Sequence, residues 1–341
     1  MSMQRVKQIP TPGEILEQLP LPKKAAQVKA ERDADLQQAL TDGNKFVLII
    51  GPCSADSEEP VCAYIEKLAR VQERVAERIL IIPRIYTNKP RTTGAGYKGM
   101  AHQPDPGKAA DLFEGVRAIR ALHIRALCDY GMPAADEMLY PENYAYLADV
   151  LAYNAVGARS VENQQHRLTA SGVDTPVGMK NPTSGDLSVM LNAIRAAQMA
   201  HTYIYNGWEV STTGNPYAHA ILRGSVDFGG RSIPNYHYED LSRLAQEYME
   251  LELANPAVIV DTNHANSDKR FYEQPRIARE VLLSRRYDPA LRSVVKGLMI
   301  ESYLVGGRQD VGGTVFGQSI TDPCLGWEDT EKLIDFIAEN V

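Results

Sequence analysis

Short apolar runs rich in β-branched residues punctuate the chain: "KFVLII" (45–50), "ILIIPRIY" (79–86), "PAADEM" (133–138), "AVGARS" (155–160), "TPVGMK" (175–180), "HTYIYN" (201–206), "AVIVDTNH" (257–264) and "VVKGLMIES" (294–302). Each has the length of a strand. Between most of them the spacing turns helical, as in 111–129, where Leu112, Val116, Ile119, Leu122 and Ile124 are interleaved with charge, and again in 272–284 and 327–339. Strands that alternate with helices imply parallel pairing, because parallel neighbours need long crossovers. Eight such units predict an α/β fold, a closed (β/α)8 or TIM barrel. A ninth run, "AHAILRG" (218–224), is in excess and is expected in a hairpin inserted near the sixth unit.

Residues 1–44 break this rhythm. A short amphipathic stretch, "GEILEQLP", is followed by a helix rich in Ala, Gln and charge at 22–41, too polar for barrel core. The expectation is an N-terminal arm (1–44) lying on a barrel domain (45–341) or on another subunit. With 36 Lys and Arg against 43 Asp and Glu, the net charge of −7 argues against nucleic acid or an anionic membrane as a partner. The four cysteines form no CxxC pair, and neither a signal peptide nor a run of about 18 apolar residues is present, so a cytoplasmic protein is expected.

In such a barrel the active site gathers at the C-terminal ends of the strands. The polar residues that follow the apolar runs are Cys53, Arg84, Glu137, Arg159, Lys180, His264 and Glu301, with the loop "NKPRTT" after the second run and Asp322 in the loop after the eighth. Two chemistries are present. Cys53, His264, Glu301 and Asp322 suit a mixed site for Mn²⁺, Fe²⁺, Co²⁺ or Zn²⁺, although a Cys53–His264 nucleophile pair remains open on these residues alone. Arg84, Lys89, Arg91, Lys98, Arg159, Lys180 and Arg223 are cations in or beside apolar strands, where each needs an anion; together they imply a substrate with more than one anionic group. "GAGYKG" (94–99) matches a dinucleotide fingerprint by letter but leads into no helix.

Several blocks occur in one order: "IGPCS" (50–54), "KPRTT" (89–93), "GAR" (157–159), "PVGMKN" (176–181), "ILRG" (221–224), "HANS" (264–267) and "SITDPCLGWEDT" (319–330). On these the chain resembles the type I, metal-dependent 3-deoxy-D-arabino-heptulosonate-7-phosphate (DAHP) synthases over nearly its whole length. The resemblance implies condensation of phosphoenolpyruvate with erythrose 4-phosphate at the entry to the shikimate pathway, by a homodimer or homotetramer with one divalent metal ion. By motif, Cys53, His264, Glu301 and Asp322 match the metal ligands. Arg159 and Arg223 match the phosphate site of phosphoenolpyruvate, and Arg84, Lys89 and Lys180 its carboxylate side. Pro90, Arg91 and Thr92 fall to the aldose phosphate, Glu137 is a further substrate contact, and Lys89, His264 and Cys53 are the catalytic candidates.

Two alternatives are a related synthase that takes a five-carbon aldose phosphate, whose loop reads Lys-Ala-Asn-Arg-Ser where this chain has Lys89-Pro90-Arg91-Thr92, and a metal- and anion-binding barrel without turnover. The chain departs from the family at Asn263, usually Ser, and at Tyr303, usually His. The segment 208–218 reads as short, and Asp174 as a carboxylate buried in the region of the family's aromatic effector site, so weak inhibition by phenylalanine and tyrosine is expected.

Overall fold

The computed structural model describes residues 2–341. Eight parallel strands form the centre: β1 (Phe46–Gly51), β2 (Ile79–Pro83), β3 (Ala134–Glu137), β4 (Leu151–Val156), β5 (Val177–Lys180), β6 (Ala218–Leu222), β7 (Val258–Asp261) and β8 (Val295–Glu301). Their spatial order is β2-β1-β8-β7-β6-β5-β4-β3. The ring closes between β2 and β3 through one bridge just past the end of β2, Arg84 opposite Ala135, where the Ile85 N–H donates to the Ala135 carbonyl at 2.9 Å. Helices on the outside cover the sheet, among them Glu58–Val75, Leu112–Tyr130, Tyr238–Glu250, Gln274–Tyr287 and Trp327–Asn340. The β3–β4 connection carries only a 3-10 turn, Pro141–Tyr146.

Two expectations exchange places at the sixth unit. The run 201–206 is not a barrel strand: Thr202–Tyr205 pairs antiparallel with Trp208–Ser211 in a hairpin outside the barrel, and Ile204 and Trp208 are exposed. The barrel position belongs to β6, which lies in the run 218–224 expected in a hairpin. The distinguishing property is burial on both faces: "AHAIL" is buried at every position, His219 included, whereas "TYIY" alternates exposed with half-buried residues. The fourth strand is also displaced. It begins at Leu151, so "GARS" is a loop and Arg159 stands three residues beyond the strand.

The helix Lys23–Thr41 is polar on average, yet its Leu36, Ala39 and Leu40 are fully buried. They join one cluster with Val47, Ile49, Leu80, Ile82, Ile259 and Met299, the inward-facing residues of the barrel. The reading of this helix as too polar for the core is therefore corrected: a narrow stripe of three residues suffices to plug the barrel floor. Truncating a fully buried Leu typically costs about 2–5 kcal/mol. Leu36→Ala should lower the urea midpoint accordingly, and an unchanged midpoint would show that the floor is closed without this helix.

Candidate active site

The C-terminal ends of the strands open into a cavity of about 250 Å³ lined by Cys53, Arg84, Lys89, Pro90, Arg91, Thr92, Glu137, Arg159, Lys180, Arg223, His264 and Asp322, with Tyr86, Asn88, Ser160 and Lys269 among its other walls. Glu301 lies beneath it, with no exposed surface. Lys98 is not part of the wall; it faces solvent on the loop behind.

At the floor, ligand atoms of Cys53, Glu301 and Asp322 lie within 4.8 Å of one another. Lys89 Nζ sits 2.7 Å from Cys53 Sγ and 2.9 Å from Asp322 Oδ2. Burial, with Glu301, pushes the Cys53 thiol up to about 11, which leaves it protonated at neutral pH until a cation displaces the proton. Burial also raises Asp322, but Lys89 and Lys269 outweigh it and hold the carboxyl well below its usual range. Glu301 is likewise kept ionised against burial, chiefly by Arg84 and also by Lys89. Its Oε1 is buried without a hydrogen-bond partner, although Arg84 Nη2 is 2.8 Å away.

His264 stands at the edge of this group, in the loop after β7, with a left-handed backbone (φ 53°) that an L-residue rarely adopts. Its Nε2 is 3.6 Å from Glu301 Oε1, and its Nδ1 is 2.9 Å from Asp261 Oδ2. A carboxylate behind a ring nitrogen orients the other nitrogen as a ligand. Burial pushes the imidazole below its ordinary value, so it is neutral at neutral pH. A soft thiol, a neutral imidazole and two ionised carboxylates fit a divalent transition-metal ion.

The cations divide into two sets. Arg84 is paired with Glu301 at 2.8 Å, Lys89 with Asp322 at 2.9 Å and Lys180 with Asp261 at 3.1 Å. Among the described residues no carboxylate lies within 4 Å of Arg91, Arg159 or Arg223. Arg159 is exposed, which corrects its reading as a cation inside a strand. Arg223 is buried and its Nη1 has no partner; burial pushes its pKa down. Three anion-seeking guanidiniums around one cavity therefore await groups that the chain does not supply.

Asp261 and Lys269 escaped the sequence reading, and Asn263 entered it only as a departure from the family pattern. Asp261 ends β7, so the same strand-end rule applied to it; it holds both Lys180 and His264. Asn263 Nδ2 donates to Glu301 Oε2 at 2.6 Å, and Lys269 Nζ donates to Asp322 Oδ1 at 3.0 Å.

A model of the DAHP synthetase I family matches residues 25–335. The chain belongs to this family. Relatives include a phospho-2-dehydro-3-deoxyheptonate aldolase of Haemophilus influenzae, 36% identical over 99% of this chain and 93% of that one. The Phe-sensitive enzyme of that name from Escherichia coli is 34% identical over 100% and 97%. A solved structure of the Francisella tularensis enzyme superposes with a TM-score of 0.93 at 29% identity, covering 99% of this chain and 98% of the other.

Two departures from the family pattern have local explanations. Asn263 braces Glu301, as above. Tyr303 is fully buried and its hydroxyl donates to Asp56 Oδ1 at 3.1 Å. The expected buried carboxylate is not found: Asp174 is exposed, on the wall of a cavity of about 450 Å³ that it shares with Tyr144, Tyr203 and Tyr205, and the hairpin beside it turns at Asn206–Gly207, both with positive φ.

Burial pushes Asp56 up to about 6, against the hydrogen bond from Tyr303. A carboxyl raised in the fold favours folding below its unfolded pKa and loses that advantage as pH rises through about 6. Asp56→Asn, whose oxygen still accepts from Tyr303, should therefore gain stability relative to the parent between pH 4 and pH 7. Urea midpoints at the two pH values test this, and a pH-independent difference would place Asp56 in water.

Proposed function

We propose that this chain condenses phosphoenolpyruvate with erythrose 4-phosphate and water to give DAHP and inorganic phosphate, the first step of the shikimate pathway, in the cytoplasm and as a homodimer or homotetramer. The observation that carries the reading is the pairing, in one family-matched cavity, of a Cys53–Glu301–Asp322 cluster with three guanidiniums that have no carboxylate partner. Arg159 and Arg223 hold the phosphate of phosphoenolpyruvate. Lys180, Arg84 and Lys89 face its carboxylate, and Glu137 closes the neighbouring wall. Pro90 shapes the loop that presents Arg91 and Thr92 to the phosphate of the aldose.

Cys53, His264, Glu301 and Asp322 would hold one divalent ion, Mn²⁺, Fe²⁺, Co²⁺ or Zn²⁺, which when bound supplies Lewis acidity. C3 of the enolpyruvate attacks the aldehyde carbon, water adds at C2, and phosphate leaves with cleavage of the C2–O bond. The cations stabilise negative charge that develops along this path. With His264 Nε2 directed at the metal, Lys89 Nζ is the group placed to move a proton there.

Phosphate release measured from phosphoenolpyruvate with erythrose 4-phosphate should be metal-dependent and abolished by a chelator. Arabinose 5-phosphate in place of the four-carbon sugar should support little release; a preference for it would overturn the substrate assignment. Cys53→Ala should lose tight metal binding, seen by equilibrium dialysis, together with activity, and near-normal turnover of this variant in metal-replete buffer would make Cys53 a packing residue.

The guanidiniums should separate by substrate. Removing the partner of a buried anionic group costs on the order of 2–5 kcal/mol. Arg91→Ala should mainly raise KM for the aldose phosphate and Arg159→Ala that for phosphoenolpyruvate. Equal damage to both substrates from each variant would contradict the assignment.

A further inference from the structure

Arg223 is the most constrained of the three unpaired guanidiniums, and its constraint comes from backbone rather than from its side chain. The Arg223 N–H donates to Asn181 Oδ1 at 2.9 Å, and the Arg223 carbonyl accepts from the Ala265 N–H at 3.2 Å. The Gly224 N–H donates to Asn235 Oδ1 at 2.8 Å, and its carbonyl accepts from Asn181 Nδ2 at 2.9 Å. One residue earlier, the Leu222 carbonyl accepts from Asn266 Nδ2 at 3.3 Å. Every backbone polar group from the Leu222 carbonyl to the Gly224 carbonyl is thus held, and four of the five by a side-chain amide.

The three asparagines are also bonded to one another, once between side-chain amides and once through a backbone N–H. Asn235 Nδ2 donates to Asn181 Oδ1 at 3.2 Å, and the Asn235 N–H donates to Asn266 Oδ1 at 2.9 Å. Asn266 Nδ2 reaches on to the Asp261 carbonyl at 2.8 Å. They come from three different connections: Asn181 follows β5, Asn235 follows β6, and Asn266 lies in the loop after β7 that also carries His264. Gly224 permits the close fit. It has a left-handed backbone (φ 72°), and a Cβ there would meet the Asn266 nitrogen at 2.7 Å.

A side-chain amide offers one acceptor and two donor hydrogens, so it can satisfy an N–H and a C=O of the same short segment at once. That fixes the main chain at the end of a strand where the β-ladder no longer does so. Arg223 itself is buried, with Nη1 unbonded and no carboxylate within 4 Å among the described residues. A guanidinium left without internal partners is positioned only by its backbone and by packing.

We propose that Asn181, Asn235 and Asn266 act as positioning residues that aim Arg223 at the phosphate group of phosphoenolpyruvate; this rests on the assignment of Arg223 to that phosphate made above. The amides do not touch substrate. Their effect is to hold the guanidinium in its binding pose before the ligand arrives, which lowers the ordering cost of binding. It falls on one substrate because the aldose phosphate is met by Arg91 and Thr92, on the separate loop after β2.

The test uses the metal-loaded enzyme with Asn235→Ala, Asn235→Asp and, as the control for the underlying assignment, Arg223→Ala. The readouts are KM for each substrate, kcat, the Ki of inorganic phosphate competing with phosphoenolpyruvate, and the melting temperature. Loss of two neutral hydrogen bonds predicts roughly a tenfold rise in KM for phosphoenolpyruvate and a parallel rise in phosphate Ki for Asn235→Ala. KM for erythrose 4-phosphate should stay within about twofold. Asn235→Asp keeps the acceptor for the Gly224 N–H and should fall between parent and Asn235→Ala in thermal stability. A loss shared equally by both substrates, or a fall in melting temperature with unchanged phosphate Ki, would make the network structural and overturn the proposal. If Arg223→Ala weakens phosphoenolpyruvate while both Asn235 variants do not, the amides have no positioning role. If Arg223→Ala leaves phosphoenolpyruvate and phosphate binding intact, the assignment of Arg223 fails first, and the proposal with it.

Discussion

Arg84 is where the barrel and the active site become one structure. Its backbone makes the bridge that joins β2 to β3, its Nη2 donates to the Cys53 carbonyl at 3.1 Å and lies 2.8 Å from Glu301, and its guanidinium stacks on Tyr86 with 3.9 Å to the ring centroid. Both Arg84 and Glu301 are almost wholly buried. Desolvating two such charges is costly, and an apolar pair of similar volume would usually stabilise a fold at least as well. What the ion pair supplies is a fixed charge at a fixed place. Gly51 allows it: a Cβ there would meet the Arg84 carbonyl oxygen at 2.4 Å, so β1 passes close under the bridge only because "IGPCS" begins with glycine after its last isoleucine.

This arrangement explains why the strand-end rule recovered so much of the cavity and where it stopped. A parallel barrel sends successive strands to one rim, so a polar residue that ends an apolar run is carried there whatever its chemistry. Cys53, Arg84, Glu137, Lys180 and Glu301 were legible for that reason, and Asp261 obeyed the same rule without being named. Asn181, Asn235 and Asn266 were not legible. Their partners are backbone groups of other loops, and no spacing in the sequence reports which loop folds against which. The exchange of the hairpin with β6 has a related cause: aromatic and β-branched residues favour strands in general, but only burial on both faces marks a barrel strand, and "HTYIYN" looks more strand-like than "AHAILRG" by propensity alone.

The helix Lys23–Thr41 shows the same limit from the other side. Its mean composition is polar because most of its circumference is wet, and the three residues that plug the barrel contribute little to an average. Its role is set by what it covers, the open N-terminal end of a ring of inward-facing Val, Ile and Leu, which would otherwise lie in water.

The two sets of cations follow from electrostatic balance. Arg84, Lys89 and Lys180 each neutralise a buried or half-buried acid, and together they keep Glu301, Asp322 and Asp261 ionised in a site where burial alone would protonate them. Arg91, Arg159 and Arg223 neutralise nothing in the chain. The first set keeps the acids ionised, and the second leaves the cavity with guanidinium charge that no carboxylate among the described residues offsets. Lys89 belongs to both by position. Its ammonium lies between Cys53 and Asp322, offsetting charge that a divalent cation would otherwise offset. On the proposed function, a bound divalent ion would supply that charge and would leave Lys89 free to reach a substrate carboxylate. The same side chain would then serve the protein's acids in one state and the substrate's in the other, a use that suits a flexible lysine better than a rigid arginine fork.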